Sequence, residues 1–112
     1  MTGVNDLFEV MWSQRAVRDL MKILDYVGQE SLTRAEKLYS TLKMECQALR
    51  EFPYQGRLVP ELKDLGVSLY RELVVEGYSV LYRVHENHLL VLTILDSRRD
   101  LESILFDLMI DR

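Results

Sequence analysis

Two apolar stripes at helical spacing, three short Val-, Leu- and Tyr-rich segments parted by turn residues, and a last helical stripe together predict an α+β domain. The expected architecture is a helical hairpin over residues 14–52 packed on an antiparallel β-meander, with an N-terminal strand and a C-terminal helix. At 112 residues the chain is long enough for a single core, so residues 1–112 are read as one domain.

The elements follow in order. Leu7 to Trp12 sets Phe8, Val10 and Trp12 at alternate positions, which suits a strand. Ser13 then caps a helix whose Ala16, Val17, Leu20, Met21, Leu24 and Val27 share one face, and Gly28 is placed at its end. A link leads to a second helix, capped by Ser31 or by the Thr33/Glu36 capping-box pair, with a stripe of Ala35, Leu38, Leu42, Cys46 and Leu49. Pro53 stops it, because proline lacks the amide hydrogen and clashes with the preceding turn. Gly56, Pro60 and Gly66 break periodicity in the link to residue 68. Strands are expected at Leu69 to Val75, Tyr78 to His85 and Leu89 to Asp96, joined by Glu76-Gly77 and by Glu86-Asn87-His88. Leu101, Ile104, Leu105, Leu108 and Met109 recur at helical spacing after a cap at Ser97 or Asp100.

Composition narrows the function. Apolar residues make up 48% and charged residues 29%, and no apolar run approaches the roughly 20 residues of a membrane helix. The opening Met1 to Asp6 has neither a basic nor an apolar leader region, so a cytoplasmic location is expected. A lone Cys46 on an apolar stripe reads as core packing. A net charge of −4 weighs against direct nucleic-acid binding, where phosphate neutralisation supplies much of the affinity. His85 and His88 flank a turn without a third ligand nearby, so no metal site is expected. There is no nucleophile elbow and no phosphate-cradling glycine loop, so neither a catalytic set nor a cofactor is assigned.

Arginines supply the candidate site. Arg57, Arg71, Arg83, Arg98 and Arg99 punctuate the strand-like segments, and a compact sheet would gather them around a few edges. The plain reading is that each pairs with a neighbour such as Glu72, Glu61 or Asp100. As a group they fit a partner surface, because a planar guanidinium presents five donors in fixed geometry. Tyr70 stands beside Arg71 and joins the set as a ring that can pack on a partner. Arg98 and Arg99 at the head of the last helix sit badly with its dipole, so Asp100 or an anionic partner must offset them.

These residues resemble the ParE/RelE superfamily of toxins from type II toxin-antitoxin modules, also called plasmid-stabilisation proteins. The likeness runs through Phe8-Glu9-Val10-x-Trp12-Ser13, Phe52-Pro53-x-x-Gly56-Arg57, Tyr70-Arg71-Glu72-Leu73-Val74-Val75, Gly77-Tyr78-Ser79-Val80-Leu81-Tyr82-Arg83-Val84 and Arg98-Arg99-Asp100-Leu101, nearly the whole chain. It implies a RelE/ParE-like fold and neutralisation by a cognate antitoxin. It also implies assembly as a homodimer or as a hetero-oligomer with that antitoxin. In this superfamily RelE-like members are ribosome-dependent mRNA endonucleases, whereas ParE-like members inhibit DNA gyrase without cutting RNA. The basic position that RelE-like enzymes use in the Gly-Tyr-Arg-Leu-Val-Tyr segment falls on Ser79 here, and their basic positions on the preceding strand fall near Tyr70 to Leu73, where only Arg71 is basic and Glu72 has the opposite sign. The carboxyl-end basic site matches Arg98 or Arg99, and no tyrosine or histidine follows them. Losing one positioned donor to a phosphoryl transition state costs roughly 3 to 4 kcal/mol. The resemblance therefore implies a ParE-like toxin that acts by binding, with DNA gyrase as its target. The alternatives are a RelE-like ribonuclease and a decayed homologue without toxicity.

Overall fold

The computed structural model describes residues 7–59 and 70–97, together with Ile110. The elements are β1 (Glu9–Trp12), α1 (Gln14–Glu30), α2 (Leu32–Ala48), β2 (Arg57–Leu58), β3 (Tyr70–Val75), β4 (Tyr78–His85) and β5 (His88–Asp96). They form one five-stranded sheet in the order β1-β5-β4-β3-β2, with α1 and α2 packed on it as the expected hairpin. The expected C-terminal helix lies outside the described residues.

The meander is antiparallel as expected, and the N-terminal strand, whose place the pattern leaves open, makes the sheet mixed. β2 through β5 pair antiparallel, but β1 pairs parallel with β5, from Glu9 opposite His88 to Trp12 opposite Val91. The helical hairpin carries the chain away from β1 to the far edge. The meander then works back, and its last strand arrives beside β1 in the same direction. β2 lies in the segment that sequence pattern leaves irregular, because two residues give no alternation to read and their pairing with β3 alone defines them.

Short polar contacts fix α1 to β5. Ser13 accepts from the Ala16 amide at 3.0 Å as the N-cap, and its hydroxyl donates to the Leu92 carbonyl at 2.9 Å. The register shifts there: Leu81 opposes Thr93 and Tyr82 opposes Val91, which leaves Leu92 as the extra residue of a bulge. Further along α1, the Asp19 carboxylate accepts from the Thr93 hydroxyl and from the Ile94 amide at 3.2 Å.

The core joins Ala16, Leu42, Cys46 and Leu49 of the helical layer to Leu73, Val75, Val80, Tyr82, Leu89, Val91 and Ile94 of the sheet. The α2 stripe faces inward as expected. On α1 two adjacent stripes compete, and the one that packs is Ala16, Leu20, Ile23 and Val27. Val17 and Met21 are exposed instead, since a helix offers only one such row to a sheet. Between β3 and β4 a two-residue turn places Glu76 and Gly77 at positive φ, 53° and 85°. Glycine takes this geometry without steric cost.

The hairpin link is tighter than expected. α1 runs through Gly28 to Glu30, and Ser31 is both its C-cap and the N-cap of α2, where its hydroxyl accepts from the Arg34 amide at 3.1 Å. Gly28 is thus a helix-interior residue. A Cβ added there meets Ala35 Cβ at 3.7 Å and Leu32 Cδ2 at 3.8 Å, ordinary packing distances. Gly28→Ala therefore removes the entropic cost of glycine without a clash and should stabilise the fold by about 0.5–1 kcal/mol. Thermal or urea unfolding of the variant checks this, and an unchanged or lowered midpoint contradicts it.

Candidate functional site

The strand register collects most of the candidate residues at one corner of the sheet. Arg57 on β2 opposes Glu72 on β3, Tyr70 opposes Arg83 on β4, and Arg71 opposes Tyr82. Four of the six expected residues, Arg57, Tyr70, Arg71 and Arg83, thus share the end where β3 begins and β4 finishes. Arg98 and Arg99 lie outside the described residues.

Two of these arginines are engaged within the chain. The Arg71 guanidinium donates from Nη1 to the Gly56 carbonyl at 2.7 Å and to the Tyr54 carbonyl at 3.3 Å, and it lies 4.9 Å from the centre of the Tyr54 ring. It is a fastener for the turn between α2 and β2. Arg57 donates from Nη2 to Glu72 Oε1, so the plain reading of a neighbour pair holds for this residue. The pair is lopsided: the Arg57 side chain is 55% exposed and that of Glu72 only 2%.

Glu72 draws Ser79 into the same network. Ser79 is fully buried, and its hydroxyl donates to Glu72 Oε2 while Arg57 holds Oε1. A buried carboxylate persists only when paired and hydrogen-bonded, and each oxygen here has a donor. Ser79 is therefore an internal donor, away from the solvent-facing surface.

Beneath the turn lies Tyr82, fully buried on the core side of β4. Its hydroxyl donates to the Pro53 carbonyl at 2.8 Å and accepts from the Gly56 amide at 2.8 Å. Burial pushes this phenol above its ordinary value of 10.0, and the Gly56 amide and the Arg71 charge pull back only part of the shift. It stays protonated and can donate throughout the physiological range. Gly56 has no space for a side chain, since a Cβ would stand 2.7 Å from the Tyr82 hydroxyl and 2.9 Å from the Glu72 carbonyl oxygen. Sequence reasoning noticed the Pro53-x-x-Gly56-Arg57 spacing but missed the partner, Tyr82, which reads in strand context as one more half-buried ring.

The arrangement is built for holding. Among the described residues no group of three or more His, Cys, Asp and Glu side chains is placed to bind a metal, and no helix is long and apolar enough to cross a membrane. His88 contacts Glu9 across β1 and β5 at 3.2 Å. A separate cleft of about 490 Å³ opens between α1 and β5, and its lining includes Arg15, Asp19, Lys22 and Asp96. Cys46 is buried in the core, and its thiol is pushed up to about 12, mainly by burial and then by the Glu45 charge.

Comparison with known proteins places this geometry in context. A family model described as "ParE toxin of type II toxin-antitoxin system, parDE" matches residues 10–101. Toxin RelE2 of Caulobacter vibrioides is 39% identical over 67 residues, covering 60% of this chain and 68% of its own length. A solved structure described as the chromosomal ParDE TA system from P. aeruginosa aligns with a TM-score of 0.65 at 24% identity. That alignment covers 81% of this chain and 97% of the matched one, a likeness of fold.

Two measurements probe the site as a physical object. Tyr82→Phe leaves the Pro53 carbonyl and Gly56 amide without their buried partner and should cost about 1–3 kcal/mol, while Gly56→Ala overpacks the same place at a cost of about 1–3 kcal/mol. Denaturant titration reads both, and a loss under half of that in each would mean the turn is not fastened through Tyr82. The Cys46 thiol should resist alkylation at pH 8 in the native protein and react once the chain unfolds. Its raised pKa holds the proton in the folded state. This contribution to stability is complete below the ordinary thiol value of 9.0 and is lost as pH rises towards 12.

Proposed function

Because the chain belongs to the ParE toxin family of type II toxin-antitoxin systems, we propose that it inhibits its cellular target by binding, that this target is DNA gyrase, and that a cognate antitoxin neutralises it in the cytoplasm. The observation that carries this reading is the state of Ser79. At the sheet position where a phosphate-contacting base would serve a ribonuclease, this chain has a fully buried serine donating to Glu72. The neighbouring guanidinium, Arg57, is bound to the same carboxylate.

The electrostatics agree with the chemistry. Phosphoryl transfer requires positive groups aimed at charge that develops in the transition state. Here Arg71 is turned onto backbone carbonyls and Arg57 onto an anion. Arg83 and Tyr70, paired across β3 and β4, together with Arg98 and Arg99, form the proposed target-facing set. A second reading, ribosome-dependent RNA cleavage, has in its favour the likeness to a relative named Toxin RelE2.

Expression of the chain without its antitoxin separates the two readings. Binding to gyrase should abolish supercoiling by the purified enzyme and leave ribosome-bound mRNA intact. Arg98→Ala with Arg99→Ala should weaken that inhibition, because two charge-assisted contacts of about 1.5–3 kcal/mol each are removed. Site-specific cuts in ribosome-bound mRNA, lost in Arg71→Ala, would establish the nuclease in place of the gyrase inhibitor.

A further inference from the structure

Strand β5 outruns its neighbour. β1 follows it only from His88 to Val91 and the chain then turns into α1, so the outer edge of β5 from Leu92 to Asp96 has no strand beside it among the described residues. At roughly 3.3 Å per residue this open edge is about 13 Å long. Side chains at the head of α1 stand in for the missing strand at its first groups. The Ser13 hydroxyl donates to the Leu92 carbonyl at 2.9 Å, and the Asp19 carboxylate accepts from the Ile94 amide at 3.2 Å. In an antiparallel pair the amide and carbonyl of one residue point to the same side, so the Ile94 carbonyl also points outward, away from β4. It has no hydrogen bond among the described residues, although Ile94 is only 2% exposed.

The cleft between α1 and β5 lies along this edge, with residues 93–96 on one side and α1 residues between Arg15 and Tyr26 on the other. Ile23 and Tyr78 give it half-buried apolar surface, and Tyr26 adds a ring that is 70% exposed. Its charged lining is balanced, Arg15 and Lys22 against Asp19 and Asp96, so it offers no field to draw a polyanion. What the edge lacks is backbone. A strand edge is completed by another extended chain whose amides and carbonyls match it at the ladder spacing. The described strands of this chain all lie within its own sheet, and a second copy would have to bring that sheet into a cleft bounded by a helix. A lone extended segment of another protein enters without that burden.

We infer that the edge of β5 beyond Val91 is a docking edge for an extended segment of the cognate antitoxin, which adds as a strand along Ile94 in the cleft between α1 and β5. An amide of that segment donates to the Ile94 carbonyl, and one of its apolar side chains packs against Ile23, Tyr26 and Tyr78. Main-chain bonds supply the affinity and the apolar pocket supplies the register. The inference rests on the toxin-antitoxin reading and adds to it the place and the form of the contact.

The test pairs the full chain with the purified protein encoded by the adjacent gene. Titration calorimetry compares wild type, Tyr26→Ser and Val17→Ser, the last an exposed α1 residue outside the cleft, with thermal unfolding as the check on folding. NMR of the complex reads hydrogen exchange of the partner's amides and nuclear Overhauser contacts to Ile94. Tyr26→Ser should lose about 10-fold in affinity, and Val17→Ser should leave it unchanged. Alternate amides of one partner segment should be protected, the period of a strand, and that segment should contact Ile94. Protection of consecutive amides, as a helix gives, or the absence of contact to Ile94 overturns strand addition. An equal loss of affinity in both variants overturns it as well. Contacts to Ile94 from residues beyond Ser97 in the free chain overturn it, because the edge is then filled from within. Self-association of wild type that Tyr26→Ser abolishes assigns the cleft to a second copy and overturns it too. Should wild type not bind the neighbouring product at all, the toxin-antitoxin reading falls together with the docking edge. Binding that leaves Ile94 untouched and that Tyr26→Ser does not weaken removes the docking edge alone.

Discussion

A chain that leaves α2 and becomes an edge strand within a few residues must turn sharply while its backbone polar groups are taken out of water. Every buried carbonyl and amide in such a turn needs a partner, and the helix and the sheet use their own ladders. Tyr82 and Arg71 solve this from below: one hydroxyl serves the Pro53 carbonyl and the Gly56 amide, and one guanidinium serves the Gly56 and Tyr54 carbonyls. The opposition of Arg71 and Tyr82 in the β3–β4 register places both under the same few residues. Position 56 must be glycine because the turn lies so close to the sheet that a methyl group would strike the Tyr82 ring and the Glu72 backbone. β2, the neighbouring ion pair and the outward placement of Phe52 and Tyr54 all follow from this fastening.

The same constraint explains why the arginines differ in role despite looking alike in sequence. A guanidinium turned onto carbonyls keeps its full charge but spends its donors. One turned onto a buried carboxylate keeps donors on its exposed side but loses its net charge locally. Arg71 is of the first kind and Arg57 of the second. Glu72 tolerates burial because both its oxygens are occupied, and Ser79 is half of that arrangement. Removing either donor from a buried carboxylate is more disruptive than breaking a surface pair, since the uncompensated charge stays behind.

Much of this fold was legible from residue pattern. The α2 stripe, the three meander strands and the Glu76-Gly77 turn stand close to where periodicity and turn chemistry put them, because each is set by local rules. What escaped was set by tertiary partners. The α1 face read as Ala16, Val17, Leu20, Met21, Leu24 and Val27 was too wide and left out Ile23, because only the sheet decides that Ala16, Leu20, Ile23 and Val27 are the row that packs. Gly28 looked like a stop signal, but Ser31 closes α1 and opens α2 at a single residue. The parallel placement of β1 beside β5 depends on the path of the whole chain, about which alternation in Leu7 to Trp12 says nothing. At the site, sequence suggested arginines gathered around a few sheet edges without saying which. The buried state of Glu72 was hidden, because a glutamate in a strand reads as exposed until its two donors are known.

The balance of charge at this corner bears on what kind of molecule the protein engages. Long-range attraction to a polyanion needs an uncompensated basic field, and a chain of net charge −4 with Arg57 tied to Glu72 does not supply one there. Short-range recognition of a protein needs fixed donors, rigid apolar surface and little entropy left to lose. The turn between α2 and β2 has such features: the Arg71 guanidinium fixed on its carbonyls, two rings open to solvent, and a backbone held from below. The turn is thus rigid because its carbonyls and its one buried amide are held from the sheet, which is the same reason its two rings stand in solvent.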